Sequence, residues 1–240
     1  ESLTVNNVAG PTADSLSDTE SVAYTWETTI QNESTDSEMV VMDGNGTVAG
    51  IGSSSTEARG LFSYDGTIVE KGPPILYYRN ETVRYIGNTQ PNQSQNRTRW
   101  VGRNASKYTR EQTQLGVHEA ILRNATNSTA TVQRVDGETA LLTVKVSSER
   151  LIQLYNTVPL TEPGAASFPE GPETVNISYR INTDTDQLKS VHYQQNRIIL
   201  APQGEARAAV KMTANYTRYD SASANRPGNL TKAPVFPARE

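Results

Sequence analysis

Few residues in this chain could do chemistry. There are no cysteines, which removes thiolate nucleophiles and Cys-based zinc or iron–sulfur sites. The only histidines are His118 and His192. A three-ligand metal site would need carboxylates at matching spacing, and neither histidine has them, so no metal ligand is assigned. Asp184-Thr185-Asp186 and Asp43-Gly44-Asn45 faintly resemble calcium loops. Neither continues to the glycine and distant glutamate that an EF-hand needs, and turn chemistry accounts for both. No Gly-x-Ser-x-Gly elbow, phosphate loop or dinucleotide fingerprint is present. A carboxylate pair for glycoside hydrolysis is not marked by any motif, and 7% aromatic residues is low for a sugar cleft. The expectation is a non-enzymatic protein with no catalytic residue and no cofactor.

The side chains with a clear chemical fate are asparagines. Asn-x-Ser/Thr acceptors occur at Asn32, Asn45, Asn80, Asn92, Asn96, Asn104, Asn124, Asn127, Asn176, Asn215 and Asn229. With 18 Asn and 48 Ser or Thr among 240 residues, chance placement gives about 3 to 4. The excess points to an N-glycosylated, extracellular, cell-surface protein. Each glycan is bulky and solvating, so each acceptor is expected to face water. The pair in Asn124-Ala-Thr-Asn127-Ser-Thr marks an exposed connection.

Composition narrows the class. The chain is 35% hydrophobic and carries a net charge of -4, with a mean hydropathy of -0.59. The apolar residues nonetheless fall into patterned runs, which argues for a folded core. No basic patch stands out, so nucleic acid is not an expected partner. Arg outnumbers Lys 16 to 6, as suits a salt-adapted surface. No run of 18 apolar residues exists, and no membrane-spanning segment is expected. The chain starts at Glu1 rather than Met; any leader or anchor is expected upstream.

The runs read mainly as strands. Tyr24, Trp26 and Ile30 share one face of a strand over 22–30. Hairpins are expected around 43–46, between 61–64 and 67–70, and between 75–78 and 82–86. One short strand is expected over 99–102. Leu115, Glu119 and Leu122 mark a helix over 112–123, followed by strands over 130–135 and 138–147. Ser148 is expected to cap a short helix over 149–155, ahead of a Pro-rich loop over 156–174. Val175, Ile177, Tyr179 and Ile181 alternate with polar residues, Asn182 to Asp186 turn, and strands follow over 188–194, 197–201 and 206–219. Residues 1–12 are expected to be extended, with Thr12 or Asp14 capping a short helix. Residues 221–240 are expected to be a C-terminal strand or tail. Asn176 and Asn215 fall on the polar faces of their strands, as glycosylation requires.

The second half has a distinctive order. An Asp-Gly turn, a long strand, a short helix and a Pro-rich loop precede NISYRINTDTDQLKSVHYQQN, ARAAVKMTANYTRYD and NLTKAPVFP. The ending, Tyr216 to Tyr219 with Pro234 to Phe236, and the opening Tyr24-Thr25-Trp26 complete the likeness. The chain resembles haloarchaeal cell-surface lipoproteins of the LolA/LppX-like family. The resemblance implies a single domain over 1–240. It implies a mainly β (α+β) fold, a curved antiparallel sheet forming an unclosed half-barrel with two or three short helices on its concave side. It further implies a lipid or other apolar ligand held in the half-barrel groove. The implied lining is Tyr24, Trp26, Val83, Tyr85, Leu142, Val144, Ile177, Tyr179, Val210 and Met212; for a protein that binds such a ligand, the Pro-rich loop 156–174 is the expected lid. The lipid-modified cysteine of such proteins is absent from these residues.

A second class of function is open at this point. The sequon density and the absence of a catalytic set also suit a structural subunit of a filament, surface layer or virion coat. It would join copies of itself or other envelope proteins by strand addition through Leu3, Val5 and Val8.

Overall fold

The computed structural model describes residues 3–51, 56–66, 71–89, 98–156, 158, 174–201 and 204–238. In chain order the elements are helix α1 (Val5–Asp18), strands β1 (Ser21–Asn32), β2 (Glu38–Ala49), β3 (Glu57–Asp65), β4 (Ile75–Arg79), β5 (Val83–Thr89) and β6 (Thr98–Asn104), helix α2 (Gln114–Arg123), strands β7 (Ala130–Arg134) and β8 (Thr139–Ser147), helix α3 (Ser148–Tyr155), and strands β9 (Thr174–Asn182), β10 (Leu188–Ala201), β11 (Gly204–Thr217) and β12 (Val235–Phe236).

The twelve strands form one curved sheet in the order β12-β6-β5-β4-β3-β2-β1-β11-β10-β9-β8-β7. The edge strands β12 and β7 do not pair with each other, so the barrel stays unclosed. All pairings are antiparallel except β12 on β6. At the centre β1 pairs with β11, with Tyr24 opposite Tyr216 and Trp26 opposite Ala214.

The helices fill much of the concave face. On α1, Val5, Val8, Ala9, Thr12, Ala13 and Leu16 are buried, the i, i+3, i+4, i+7 stripe of an amphipathic helix. All of these but Thr12 share a cluster with Leu115, Ile121 and Leu122 of α2, Leu151 of α3, and Tyr24, Leu142, Ile177 and Met212 from the sheet. Each fully buried Leu or Ile there contributes about 1.5–3 kcal/mol. A second, smaller cluster of Ile30, Met39, Val40, Ala208 and Val210 lies at the far end of the same face. On the convex face Tyr78, Tyr85 and Trp100 are covered by Leu230 and Ala233.

Four expectations need correction. Residues from Val5 onward are helical rather than extended, and Thr4 is the cap, its side chain accepting from the Asn7 N–H. Gly10 and Pro11 are poor helix formers, but the buried stripe of α1 outweighs them. Leu3, Val5 and Val8 pack into the chain's own core, so they are not free to add as a strand elsewhere. The residues 43–46 are not a turn but the middle of β2. Gly44 lies opposite Trp26 and Gly46 opposite Tyr24. A Cβ on Gly46 would stand 2.4 Å from the Tyr24 hydroxyl, and one on Gly44 2.7 Å from Trp26 Nε1. The glycines make room for rings crossing from β1. The β1–β2 turn is instead at 33–37, where Asn32 Oδ1 accepts from the Ser34 N–H and Asp36 has a φ of 54°. Finally, α3 begins at Ser148 and is capped by Ser147, whose hydroxyl accepts from the Arg150 N–H. The expected strand over 67–70 lies outside the described residues.

Candidate functional site

The concave face has two unlike parts. Under the helices it is a core with a polar centre. His118 on α2 is fully buried. Its Nδ1 lies 3.3 Å from the Tyr179 hydroxyl, and the rings of Tyr155, Tyr179 and Tyr216 meet it edge-on at 5.5–6.3 Å between centroids. Tyr216 donates to Gln114 Oε1 at 2.7 Å. Burial pushes His118 down to about 3 and the Tyr179 hydroxyl well up, so both are neutral at pH 7. His118 Nε2 has no hydrogen-bond partner among the described residues. His192 is exposed on β10, against Thr213, so the two histidines do not converge.

Beyond the helices, at the β4–β6 end, the concave face is open. Paired residues share a face and neighbours alternate. Tyr77, which is buried in the main core, lies opposite Ile86, and Ile86 lies opposite Val101. The same face therefore carries Arg84, Ile86 and Asn88 of β5 and Arg99, Val101 and Arg103 of β6. These six residues line a cavity of about 360 Å³, and Ile86 is 43% exposed in it. A second cleft of about 500 Å³ shares Arg84 and Arg103. It extends past Arg79, Ser106 and Gln112 to Asn156 at the end of α3.

The ten residues named as groove lining divide. Tyr24, Trp26, Leu142, Val144, Ile177, Tyr179 and Met212 come together on the concave face, buried in the main cluster with the helices. Val210 belongs to the smaller cluster at the far end. Val83 and Tyr85 lie on the convex face with Leu230, the reverse of the expected orientation. The more apolar face of β5 carries Val83 and Tyr85 and packs outward against Leu230, so alternation alone points the strand the wrong way. The residues that line the open end were missed for the same reason. The arginines are scattered in sequence, and only strand pairing gathers them. The lid segment 156–174 lies outside the described residues except for Asn156, Val158 and Thr174.

Of the glycan acceptors, Asn45, Asn104, Asn124, Asn127, Asn176, Asn215 and Asn229 are exposed, and Asn32 and Asn80 are half-buried. Asn92 and Asn96 lie outside the described residues. Asn45 sits on the convex face of β2 rather than in a turn. No helix among the described residues is long and apolar enough to cross a membrane.

No family model matches this chain, and no curated protein does. Among solved structures, LprF from Mycobacterium bovis is similar with a TM-score of 0.54 and 10% identity, over 93% of this chain and 96% of that one. A LolA superfamily protein from Nitrosomonas europaea is 10% identical over 95% of this chain and 97% of that one, with a TM-score of 0.26. The likeness to LprF is one of fold, an open half-barrel with helices on its concave side.

Proposed function

We propose that this protein is a non-enzymatic, N-glycosylated component of the cell envelope that holds a lipid or another apolar ligand at the open end of its half-barrel. One observation carries the reading. The concave face continues past the helices into a cavity of about 360 Å³ in which Ile86 remains 43% exposed. A sheet face turned inward is ordinarily covered, and cavities of this size suit small apolar ligands. The fold shared with LprF and the LolA-type architecture support the same reading. The exposed acceptor asparagines support an exterior location. Assembly by strand addition has lost its basis, because the N-terminal segment is helical and the C-terminal segment folds back as β12 onto β6.

The test is mass spectrometry on protein from its native source, intact and under native conditions, with an organic extract run alongside. The expected result is a mass above the 26.2 kDa of the bare chain, shifted by N-glycosidase, together with one lipid per chain. A bare 26.2 kDa species with an empty extract would refute both the exterior location and the bound ligand.

A further inference from the structure

The sheet register places three arginines in one row across adjacent strands. Arg79 of β4 lies opposite Arg84 of β5, and Arg84 lies opposite Arg103 of β6. Arg99 stands on the same face of β6, opposite Asn88. Directly opposed residues have Cβ atoms about 4.5–5.5 Å apart, and like charges at that spacing are destabilising. Arg79 is held structurally. It is 5% exposed, lies over the Tyr108 ring at 4.3 Å, and donates through Nη2 to Ser106 O at 3.1 Å. Arg84, Arg99 and Arg103 have no ion-pair partner among the described residues. No Asp or Glu among the described residues lines either cleft, although acidic residues outnumber basic ones 26 to 22 in the chain.

Two independent features thus meet in one cavity, uncompensated guanidinium groups and the exposed Ile86 beside half-buried Val101. The guanidinium fork matches phosphate and carboxylate oxygens, two parallel N–H bonds at a time, and is weakly hydrated compared with an ammonium. The geometry points to an amphiphile with an anionic head. Arg84, Arg99 and Arg103 receive the head, and Ile86 with Val101 receives the start of its hydrocarbon chain. This deepens the lipid-binding reading and rests on it. The bound anion offsets the repulsion that the empty row imposes.

The experiment is a calorimetric titration of the full chain, below micelle concentration. The probes are a lysophospholipid with a phosphoglycerol head, the phosphocholine lysolipid of the same chain length, and inorganic phosphate. The same titrations are run on the Arg84→Gln, Arg99→Gln, Arg103→Gln triple variant and on Arg103→Gln alone. The phosphoglycerol lysolipid is expected to bind at least about tenfold more tightly than the choline analogue, which carries the same phosphodiester but adds a quaternary ammonium that the arginines repel. The preference should shrink in Arg103→Gln and vanish in the triple variant, and added salt should weaken it. Equal binding of both lysolipids would overturn the anionic head while leaving the apolar-ligand reading intact. Inorganic phosphate bound as tightly as the phosphoglycerol lysolipid would overturn the amphiphile in favour of a free anion. Binding of neither lysolipid would remove the lipid-binding reading itself. The comparison within the native chain stands even if the triple variant does not fold.

Discussion

At the scale of single residues, His118 carries the sharpest physical consequence. Its folded-state pKa is about 3 against 6.5 when exposed, because burial disfavours the imidazolium. Between these values the unfolded chain takes up a proton that the folded chain refuses. Stability is therefore complete above about pH 6.5 and is lost as the pH falls, by up to about 1.4 kcal/mol per unit. Urea unfolding at pH 7 and pH 5 should show a drop in the native protein about 2 kcal/mol larger than in His118→Gln. Equal drops in the two proteins would mean that the imidazole is not buried neutral. Gly46 makes a second residue-scale claim. In Gly46→Val the new side chain meets the Tyr24 ring and the Arg59 carbonyl. The overpacking should cost about 1–3 kcal/mol in denaturant unfolding. Unchanged stability would show that the ring does not lie across β2.

At the scale of elements, the polar contacts across the α1–α2 junction centre on Arg110 and Glu119. Arg110 donates to the Leu16 and Thr19 carbonyls at the end of α1 and, at 2.9 Å, to Glu119 on α2. Glu119 also accepts from Arg123, which reaches Asp14. Both Arg110 and Glu119 are largely shielded from solvent, so this ion pair escapes most of the screening that weakens surface pairs. Arg110→Ala should lower stability by about 2 kcal/mol, with hydrogen exchange accelerating first in α1. Uniform acceleration across the sheet would place the junction elsewhere. How legible each element was in sequence follows from its own chemistry. Strands β8, β9 and β11 were plain, because one face is apolar and the other polar, as in Ile177 and Tyr179 against Asn176 and Arg180. The Gly-rich middle of β2 was opaque, since a glycine under an aromatic ring and a glycine in a turn look alike in sequence. The true turn had a usable signal: Asn32 to Asp36 repeats the pattern of Asn182 to Asp186. In both turns the Asn side chain accepts from the backbone two residues on, and the Asp has a positive φ. Helix α1 was masked by Gly10 and Pro11, whose local preferences were overridden by packing. The open end of the concave face was hidden because its arginines are brought together only by pairing across β4, β5 and β6.

At the scale of the molecule, the half-barrel is finished differently at its two ends. One stretch of the concave face is filled by three helices and centred on His118. The other is left to Arg84, Arg99 and Arg103 and the Ile86–Val101 pair. The convex face at that end is sealed by Leu230 and Ala233, so the site has one open side. The central claim is that an apolar ligand lies on this concave stretch. The most direct measurement is photocrosslinking with a diazirine-bearing lysolipid, followed by peptide mapping of the labelled chain. The expected labels are confined to Arg84, Ile86, Asn88, Arg99, Val101 and Arg103 and are competed away by the unlabelled lysolipid. Labels on Tyr78, Tyr85 or Leu230, on the convex face, or labels that resist competition, would contradict it.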